Sequence, residues 1–298
     1  MRIPLYILLF FFGIGGALSS CSSEENVPLL EESRILLEAE TFFNVSYGPS
    51  SQQVYDLYLP AARNSEKTKV IILIHGGGWI HGDKSNMNRF ITGIRENHPN
   101  HAIVNINYVL GSVTPPIVPA FPNQFLDIDA VINKLTTEKE ALQILPEFAL
   151  VGSSAGAHLA LMYDFVYDTD DQVKFVANIV GPTNFTDPFY AKDPSFMEGL
   201  SLLVDENKYP SGINIAEATS PIFQLNSASS PAVMFYGNQD AIVPLSNGTS
   251  LDAAFSDAKI THSFTTYNGG HNDDWSEADL LNLQSQISEY IEIYLPVE

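Results

Sequence analysis

Gly152-Ser153-Ser154-Ala155-Gly156 is the stretch of this sequence that decides the fold. An apolar run at residues 148–151 precedes it and a helical-looking run at residues 157–162 follows it. The chain is therefore predicted to pass from a buried strand, through a tight turn, into a helix. A serine at the apex of such a G-x-S-x-G turn forms a nucleophile elbow. The glycines leave room where strand and helix cross, and the turn aims the Ala155 N–H at the atom that Ser154 would attack.

Eight segments have the composition of β-strands, and one of them is the apolar run that precedes the turn. The run at 70–74 is continuously apolar, which is typical of a strand buried on both faces, whereas 41–47 and 54–59 alternate and predict an antiparallel hairpin. The predicted strands are residues 41–47, 54–59, 70–74, 102–108, 148–151, 173–180, 232–236 and 263–267. Helical patterns lie between several of them, among them Phe125 to Leu135, and a final amphipathic helix is predicted at 280–294. This alternation predicts an α/β fold, with a mostly parallel sheet, helices on both faces and chemistry at the carboxyl ends of the strands.

Residues 181–229 interrupt the alternation and predict a short insertion over the catalytic edge. Its apolar side chains could line an acyl pocket or could pack against the body of the protein. They are Phe185, Phe189, Tyr190, Phe196, Met197, Leu200, Leu202 and Leu203.

Two loops that follow strands supply partners for Ser154. A serine hydroxyl needs a base to take its proton and an acid to orient that base, and after an elbow these come in the order Ser, Asp or Glu, His. Asp240 follows the strand at 232–236, and His271 follows the last strand in a Gly-Gly-His loop. We predict Ser154, Asp240 and His271 as catalytic residues. Asp187, in the loop after the preceding strand, is the alternative acid.

The segment His75-Gly76-Gly77-Gly78-Trp79 directly follows the strand at 70–74. Consecutive glycines expose backbone N–H groups without side chains that would block a substrate, as an oxyanion hole requires. Gly77, Gly78 and Ala155 are the predicted donors, with the Trp79 N–H as a possible substitute. The segment lacks the Lys-Ser/Thr ending of a phosphate-binding P-loop.

Together, HGGGW at 75–79, GSSAG at 152–156, GNQDAIVP at 237–244 and GGH at 269–271 resemble the α/β-hydrolase superfamily on its esterase and lipase side. The resemblance covers residues 41–298. Asp56 to Pro60 ahead of HGGGW, Gly82-Asp83-Lys84 after it, and Ser220-Pro221-Ile222 are similar to small esterases that include feruloyl and acetyl-xylan esterases. The resemblance implies that the chain folds around a central α/β-hydrolase sheet and acts as a serine carboxylesterase. Unlike the hormone-sensitive-lipase type, the sequence has no long cap ahead of HGGG, which argues against a lid-covered site.

The charge distribution limits the partners. The net charge of −21 argues against nucleic acid, whose phosphates need Lys and Arg. The remaining histidines are dispersed and show no metal-ligand spacing, so we expect neither a metal nor a cofactor.

The N-terminus has the features of an export signal. Met1-Arg2 is basic, and residues 3–18 are mostly apolar but too short for a comfortable membrane span. Leu18-Ser19-Ser20-Cys21 resembles a bacterial lipobox, which implies a signal peptide at 1–20, cleavage before Cys21 and lipidation of that residue. The alternative is an ordinary cleaved signal in which Cys21, the only cysteine, is incidental. Residues 21–40 read as an acidic tether, with a helical stretch near 29–39. Ser22 favours the outer membrane of a Gram-negative bacterium, and the acidic residues suit display at the cell surface.

From these features we expect a lipid-anchored serine carboxylesterase that hydrolyses short-chain or aromatic acyl esters, on small molecules or on polysaccharide. Two alternatives stay open. A serine peptidase or amidase could use the same residues, although the chain has no second domain to hold a peptide. A non-catalytic substrate-binding lipoprotein could keep the fold, although every triad and oxyanion position is filled.

Overall fold

A single mixed sheet forms the centre of the protein. The computed structural model describes residues 37–271 and 274–297, so the signal peptide, Cys21 and most of the tether lie outside the described residues. In the described part of the chain, eight strands pair in the order β1-β2-β4-β3-β5-β6-β7-β8. They are β1 (Glu40–Ser46), β2 (Val54–Leu59), β3 (Val70–Ile74), β4 (Ala102–Ile106), β5 (Phe148–Ser153), β6 (Val173–Ile179), β7 (Ala232–Gly237) and β8 (His262–Tyr267). The first three strands of this order pair antiparallel and all later neighbours pair parallel. The predicted mostly parallel α/β sheet is confirmed.

Helices cover both faces of this sheet. Within the described residues they are α1 (Asn88–Asn97), α2 (Asn123–Thr137), α3 (Lys139–Leu142), α4 (Ala155–Met162), α5 (Pro188–Ala191), α6 (Pro194–Leu203), α7 (Ile215–Ala218), α8 (Leu245–Ala258) and α9 (Glu277–Tyr294). None of the helices in 37–271 and 274–297 combines the length and the apolar character that crossing a membrane requires.

β3 shows why a continuous apolar run belongs in the middle of the sheet. Its five side chains are fully buried. Val70, Ile72 and Ile74 pack in the core that includes α2, α4 and α8, whereas Ile71 and Leu73 pack in the core beneath α1 and α9. Because side chains alternate along a strand, both faces of β3 need apolar residues.

β4 ends two residues earlier than its sequence pattern predicts. The strand runs to Ile106, and Asn107 then turns its side chain toward the segment after HGGGW. Its Oδ1 accepts from Lys84 N at 2.6 Å and its Nδ2 donates to an Asp83 carboxylate oxygen at 2.8 Å. The Asn107 side chain thus anchors the start of the segment that follows HGGGW, while its backbone N–H still donates to Val54 O of β2 at 2.9 Å.

Residues 181–229 form the expected insertion, built from short helices without a strand among the described residues. Some of its apolar side chains pack against the body of the protein, and others line the cleft beside Ser154. Phe185, Leu200 and Leu203 are buried in the core, whereas Phe196 and the largely buried Tyr190 also line the cleft beside Ser154.

The turn that follows α4, Tyr163–Tyr167, buries a carboxyl group. Asp164 is 6% exposed, and its Oδ2 accepts from Ser230 N at 2.9 Å at the entrance to β7. Burial raises the pKa of Asp164 from 3.8 to about 7, against the opposing effect of the Ser230 hydrogen bonds. The folded protein therefore keeps this proton at pH values where the unfolded chain has lost it. Consequently, the group lowers the free energy of unfolding as the pH rises from about 4 to about 7.

Asp164→Asn removes this titration while keeping an oxygen for the Ser230 N–H. We expect the variant to gain stability relative to the wild type between pH 4.5 and pH 8, by roughly 2–4 kcal/mol. Urea denaturation at both pH values measures this difference. The exposed Asp170→Asn is the matched control, and an equal stability difference at the two pH values would contradict the assignment.

Candidate active site

Ser154 lies at the junction between β5 and α4. Its backbone has φ 53° and ψ −121°, a strained conformation for a residue with a side chain. A Cβ on Gly152 would overlap the backbone of Gly156 and Ala157, and a Cβ on Gly156 would overlap the carbonyl oxygen of Ile74. The two glycines therefore let α4 cross directly over β5 and β3, which leaves Ser154 at the tip of the turn.

Ser154, His271 and Asp240 lie along one line of hydrogen bonds. The His271 Nε2 lies 2.8 Å from Ser154 Oγ, and the His271 Nδ1 lies 2.6 Å from an Asp240 carboxylate oxygen. The Asp240 side chain is fully buried. Its other oxygen accepts from Ile242 N at 2.8 Å and Val243 N at 2.9 Å. These backbone donors hold the carboxylate as an acceptor aimed at the imidazole.

Backbone contacts between two loops bring the acid and the imidazole together. A Cβ on Gly237 would overlap the carbonyl oxygens of Gly269 and Gly270, so a glycine is required where the loops after β7 and β8 touch. Gln239 N donates to Gly269 O at 2.8 Å in the same contact. On the far side, Trp275 Nε1 donates to Gly270 O at 3.1 Å. The loop that carries His271 is therefore held from both sides.

Asp187, the alternative acid, has different partners. Its carboxylate accepts from Phe189 N at 2.8 Å, at the start of α5, and from Ser246 Oγ at 2.6 Å, at the start of α8. In the described part of the chain, the carboxylate bonded to His271 is that of Asp240. Asp187 instead ties the insertion to α8.

The glycine-rich segment after β3 adopts an unusual backbone. Gly77, Gly78 and Trp79 have φ values of 120°, 58° and 67°, three successive residues in the left-handed region. Neither the Gly77 N–H nor the Gly78 N–H bonds to another described residue, and both residues line the cleft with Ala155. Ala155 opens α4, where the first N–H groups have no acceptor within the helix. The three predicted donors are therefore grouped beside Ser154.

His75 supports this segment from below. It is 1% exposed, its Nδ1 lies 2.6 Å from Gly76 O, and its ring stacks on Tyr108 with centroids 4.3 Å apart. Burial lowers the pKa of His75, which favours the neutral ring. These contacts brace the glycine-rich segment.

His158 is a part of the site that sequence reasoning missed. Fully buried one turn into α4, it accepts from Trp79 Nε1 through Nδ1 at 3.2 Å, and its Nε2 lies 2.7 Å from Thr219 O. Burial lowers its pKa to about 4, so the ring is neutral, with the proton on Nε2. His158 thus connects the glycine-rich segment to the insertion. Its four-residue spacing from Ser154 on an apolar helix is the signal that could have revealed it.

The cleft at Ser154 has a volume of about 490 Å³. Apolar side chains from the insertion and the Asp240 loop, including Tyr190, Phe196, Ile242 and Val243, line one part of it. In residues 37–271 and 274–297, no three His, Cys, Asp or Glu side chains group as a metal site would require. The groups that face the cleft are the Ser154 hydroxyl, the His271 imidazole and exposed N–H groups, and the buried Asp240 carboxylate lies behind the imidazole.

Comparison with known proteins identifies the family. The family model BD-FAE matches residues 55–255, which is more than half of the chain and includes the elbow and Asp240. The chain belongs to the BD-FAE esterase family. It is therefore a hydrolase that acts on esters. No curated protein sequence matches this BD-FAE chain significantly.

Solved structures share the fold of this BD-FAE chain at low sequence identity. A truncated carbohydrate esterase from gut microbiota is 16% identical with a TM-score of 0.67, over 85% of this chain and 96% of that one. Thermogutta terrifontis esterase 2 with bound propionate is 17% identical with a TM-score of 0.67, over 87% and 95%. Esterase B from Lactobacillus rhamnosis, with a tributyrin phosphonate, is 19% identical with a TM-score of 0.63, over 88% and 90%. These likenesses establish the α/β-hydrolase fold.

Substitution of His158 tests whether its hydrogen bonds position Trp79 in this BD-FAE site. His158→Leu leaves the Trp79 N–H and the Thr219 carbonyl unpaired, each at a cost of about 1–3 kcal/mol. We expect a lower free energy of unfolding and a fall in kcat for p-nitrophenyl acetate of about tenfold, with a smaller change in KM. His158→Gln keeps one acceptor and one donor at similar spacing and should restore most of the kcat. Equal kcat values for the two variants would contradict a role in positioning Trp79.

Proposed function

We propose that this protein is a serine carboxylesterase in which Ser154 is the nucleophile, His271 the general base and Asp240 the orienting acid. The observation that carries the proposal is the continuous line from Ser154 Oγ through the imidazole to the buried carboxylate, at 2.8 Å and 2.6 Å. A hydroxyl becomes an effective nucleophile when such a base takes its proton.

The proposed reaction has two halves. Ser154 Oγ attacks the ester carbonyl while His271 Nε2 takes its proton, and Asp240 stabilises the resulting imidazolium. The N–H groups of Gly77, Gly78 and Ala155 stabilise the oxyanion of the tetrahedral intermediate. The C–O bond to the alcohol then breaks as His271 protonates the leaving oxygen. Water, activated by His271, attacks the acyl-enzyme and releases the acid.

The apolar lining of the cleft suits short or compact aromatic acyl groups. Tyr190 and Phe196 stack with centroids 4.4 Å apart, and with Ile242 and Val243 they form an apolar wall. The fold neighbours with bound propionate and with a tributyrin phosphonate are consistent with short acyl groups. The gut carbohydrate esterase suggests an acylated polysaccharide as the setting.

The location of the enzyme is a separate proposal. The lipobox-like segment ending at Cys21 supports lipid anchoring after export, with the outer membrane or cell surface of a Gram-negative bacterium as the site of action. An anchored esterase could remove acyl groups from polysaccharide before the sugars are taken up.

The serine mechanism is tested at the nucleophile. We expect Ser154→Ala to lower kcat on a short p-nitrophenyl ester by about 10⁴–10⁶-fold and to abolish labelling by a fluorophosphonate. Ser153→Ala is less suitable as a control, because Ser153 directly precedes Ser154 at the end of β5. Ser201 is exposed, and Ser201→Ala should react normally. Near-native turnover by Ser154→Ala would rule out the proposed mechanism.

The assignment of the acid is tested by a pair of variants. Asp240→Asn leaves the geometry but disturbs the imidazole tautomer, so we expect kcat to fall by about 10³–10⁴-fold. Asp187→Asn is the matched control, since its side-chain oxygen can still cap α5, and its kcat should stay within about threefold of the wild type. The reverse order of effects would transfer the role of acid to Asp187.

A further inference from the structure

The cleft beside Ser154 has a second, chemically different wall. Because β3 and β6 lie on opposite sides of β5, segments that follow β3 flank Ser154 on one side and segments that follow β6 and β7 flank it on the other. The apolar wall comes mainly from the latter. The wall after β3 includes Gly82, Asn86, Met87 and Arg89.

Arg89 is a cation without a carboxylate partner in the described part of the chain. The nearest acid in sequence, Asp83, is engaged by Ser85 N at 2.9 Å and by Asn107 Nδ2 at 2.8 Å. The guanidinium carbon of Arg89 lies 5.0 Å from the centre of the Phe90 ring, a cation–π contact that restricts the side chain without neutralising it.

Arg89 places a positive charge at the cleft of a strongly acidic protein. The chain has a net charge of −21, so its surface repels anionic ligands at long range. Yet the described residues that line the cleft include no Asp or Glu, and Arg89 is the permanent cation among them. A guanidinium binds a carboxylate through two parallel hydrogen bonds, which neither a neutral sugar nor an alkyl group can replace.

We infer that Arg89 binds a carboxylate on the alcohol portion of the substrate. In a serine esterase the acyl and alcohol portions extend in different directions from the reacting carbonyl, and the apolar wall suits the acyl portion. The wall that carries Arg89 therefore faces the alcohol. The inferred substrates are esters whose alcohol portion carries a carboxylate, as in sugar acids or hydroxy acids. This inference rests on the proposed serine esterase function and makes Arg89 a specificity residue.

The test compares matched anionic and neutral esters. The alcohol-side pair is 3-acetoxybenzoate and 3-acetoxybenzamide, which differ in one carboxylate. The acyl-side pair is phenyl hemisuccinate and phenyl succinamate. We expect the wild type to show a kcat/KM about tenfold higher for 3-acetoxybenzoate than for the amide, mainly through KM, and no such preference in the acyl-side pair. High salt should weaken the preference.

Variants of α1 identify the cation responsible. Arg89→Gln should bring the ratio within the alcohol-side pair to about one, and Arg89→Lys should keep part of it. Arg95→Gln is the matched control, because Arg95 lies on the same helix over Tyr58, with 5.7 Å to the ring centre, and does not line the cleft. It should keep the wild-type ratio.

The outcomes separate this inference from the proposed function. Equal turnover of both alcohol-side esters by the wild type, or a preference that survives Arg89→Gln, would overturn the role of Arg89 while leaving the serine esterase intact. An Arg89-dependent preference confined to the acyl-side pair would overturn the assignment of the walls. Failure of the proposed function would look different, because none of the four esters would be hydrolysed above its rate without enzyme and Ser154 would escape fluorophosphonate labelling.

Discussion

The whole site depends on the close crossing of α4 over the middle of the sheet. Gly156 packs against the carbonyl oxygens of Ile74 and His75, a contact that leaves no space for any side chain. This contact sets the distance between the elbow and the glycine-rich segment, which follow the neighbouring strands β5 and β3. As a result, the Ser154 hydroxyl and the exposed N–H groups lie at one place, although about 75 residues separate them in sequence.

A second glycine contact serves the other half of the site. Gly237 lets the loop after β7 touch the loop after β8, and the buried Asp240 carboxylate then reaches the imidazole of His271. The strain at Ser154 persists because the surrounding packing holds it. The same packing buries polar groups that bond to one another, as His158 does with Trp79 and Thr219. The insertion contributes to this support as well as to the cleft.

The proposed mechanism and the inferred role of Arg89 divide the cleft between general chemistry and selectivity. In the proposed mechanism, the elbow, the glycine-rich segment and the loops that carry Asp240 and His271 supply groups that any ester would meet. Residues farther from the reacting atoms differ in character, with aromatic and aliphatic side chains on one side and Arg89 on the other. A hydrolase with such a division can distinguish substrates by parts of the molecule that do not react.

Sequence patterns alone determined most of the strands, the order of the main elements and the loops that meet at Ser154, because buried parallel strands and glycine-rich turns have distinct compositions. They also placed Asp240 and His271 in loops after strands. They left open the choice between Asp240 and Asp187, since both follow a strand and only the fold shows that Ser246 and the α5 N-terminus engage Asp187. The hydrogen-bond partners of His158, the end of β4 at Ile106 and the isolation of Arg89 depend on contacts between residues far apart in the chain. Such contacts arise from tertiary packing, which no local pattern records.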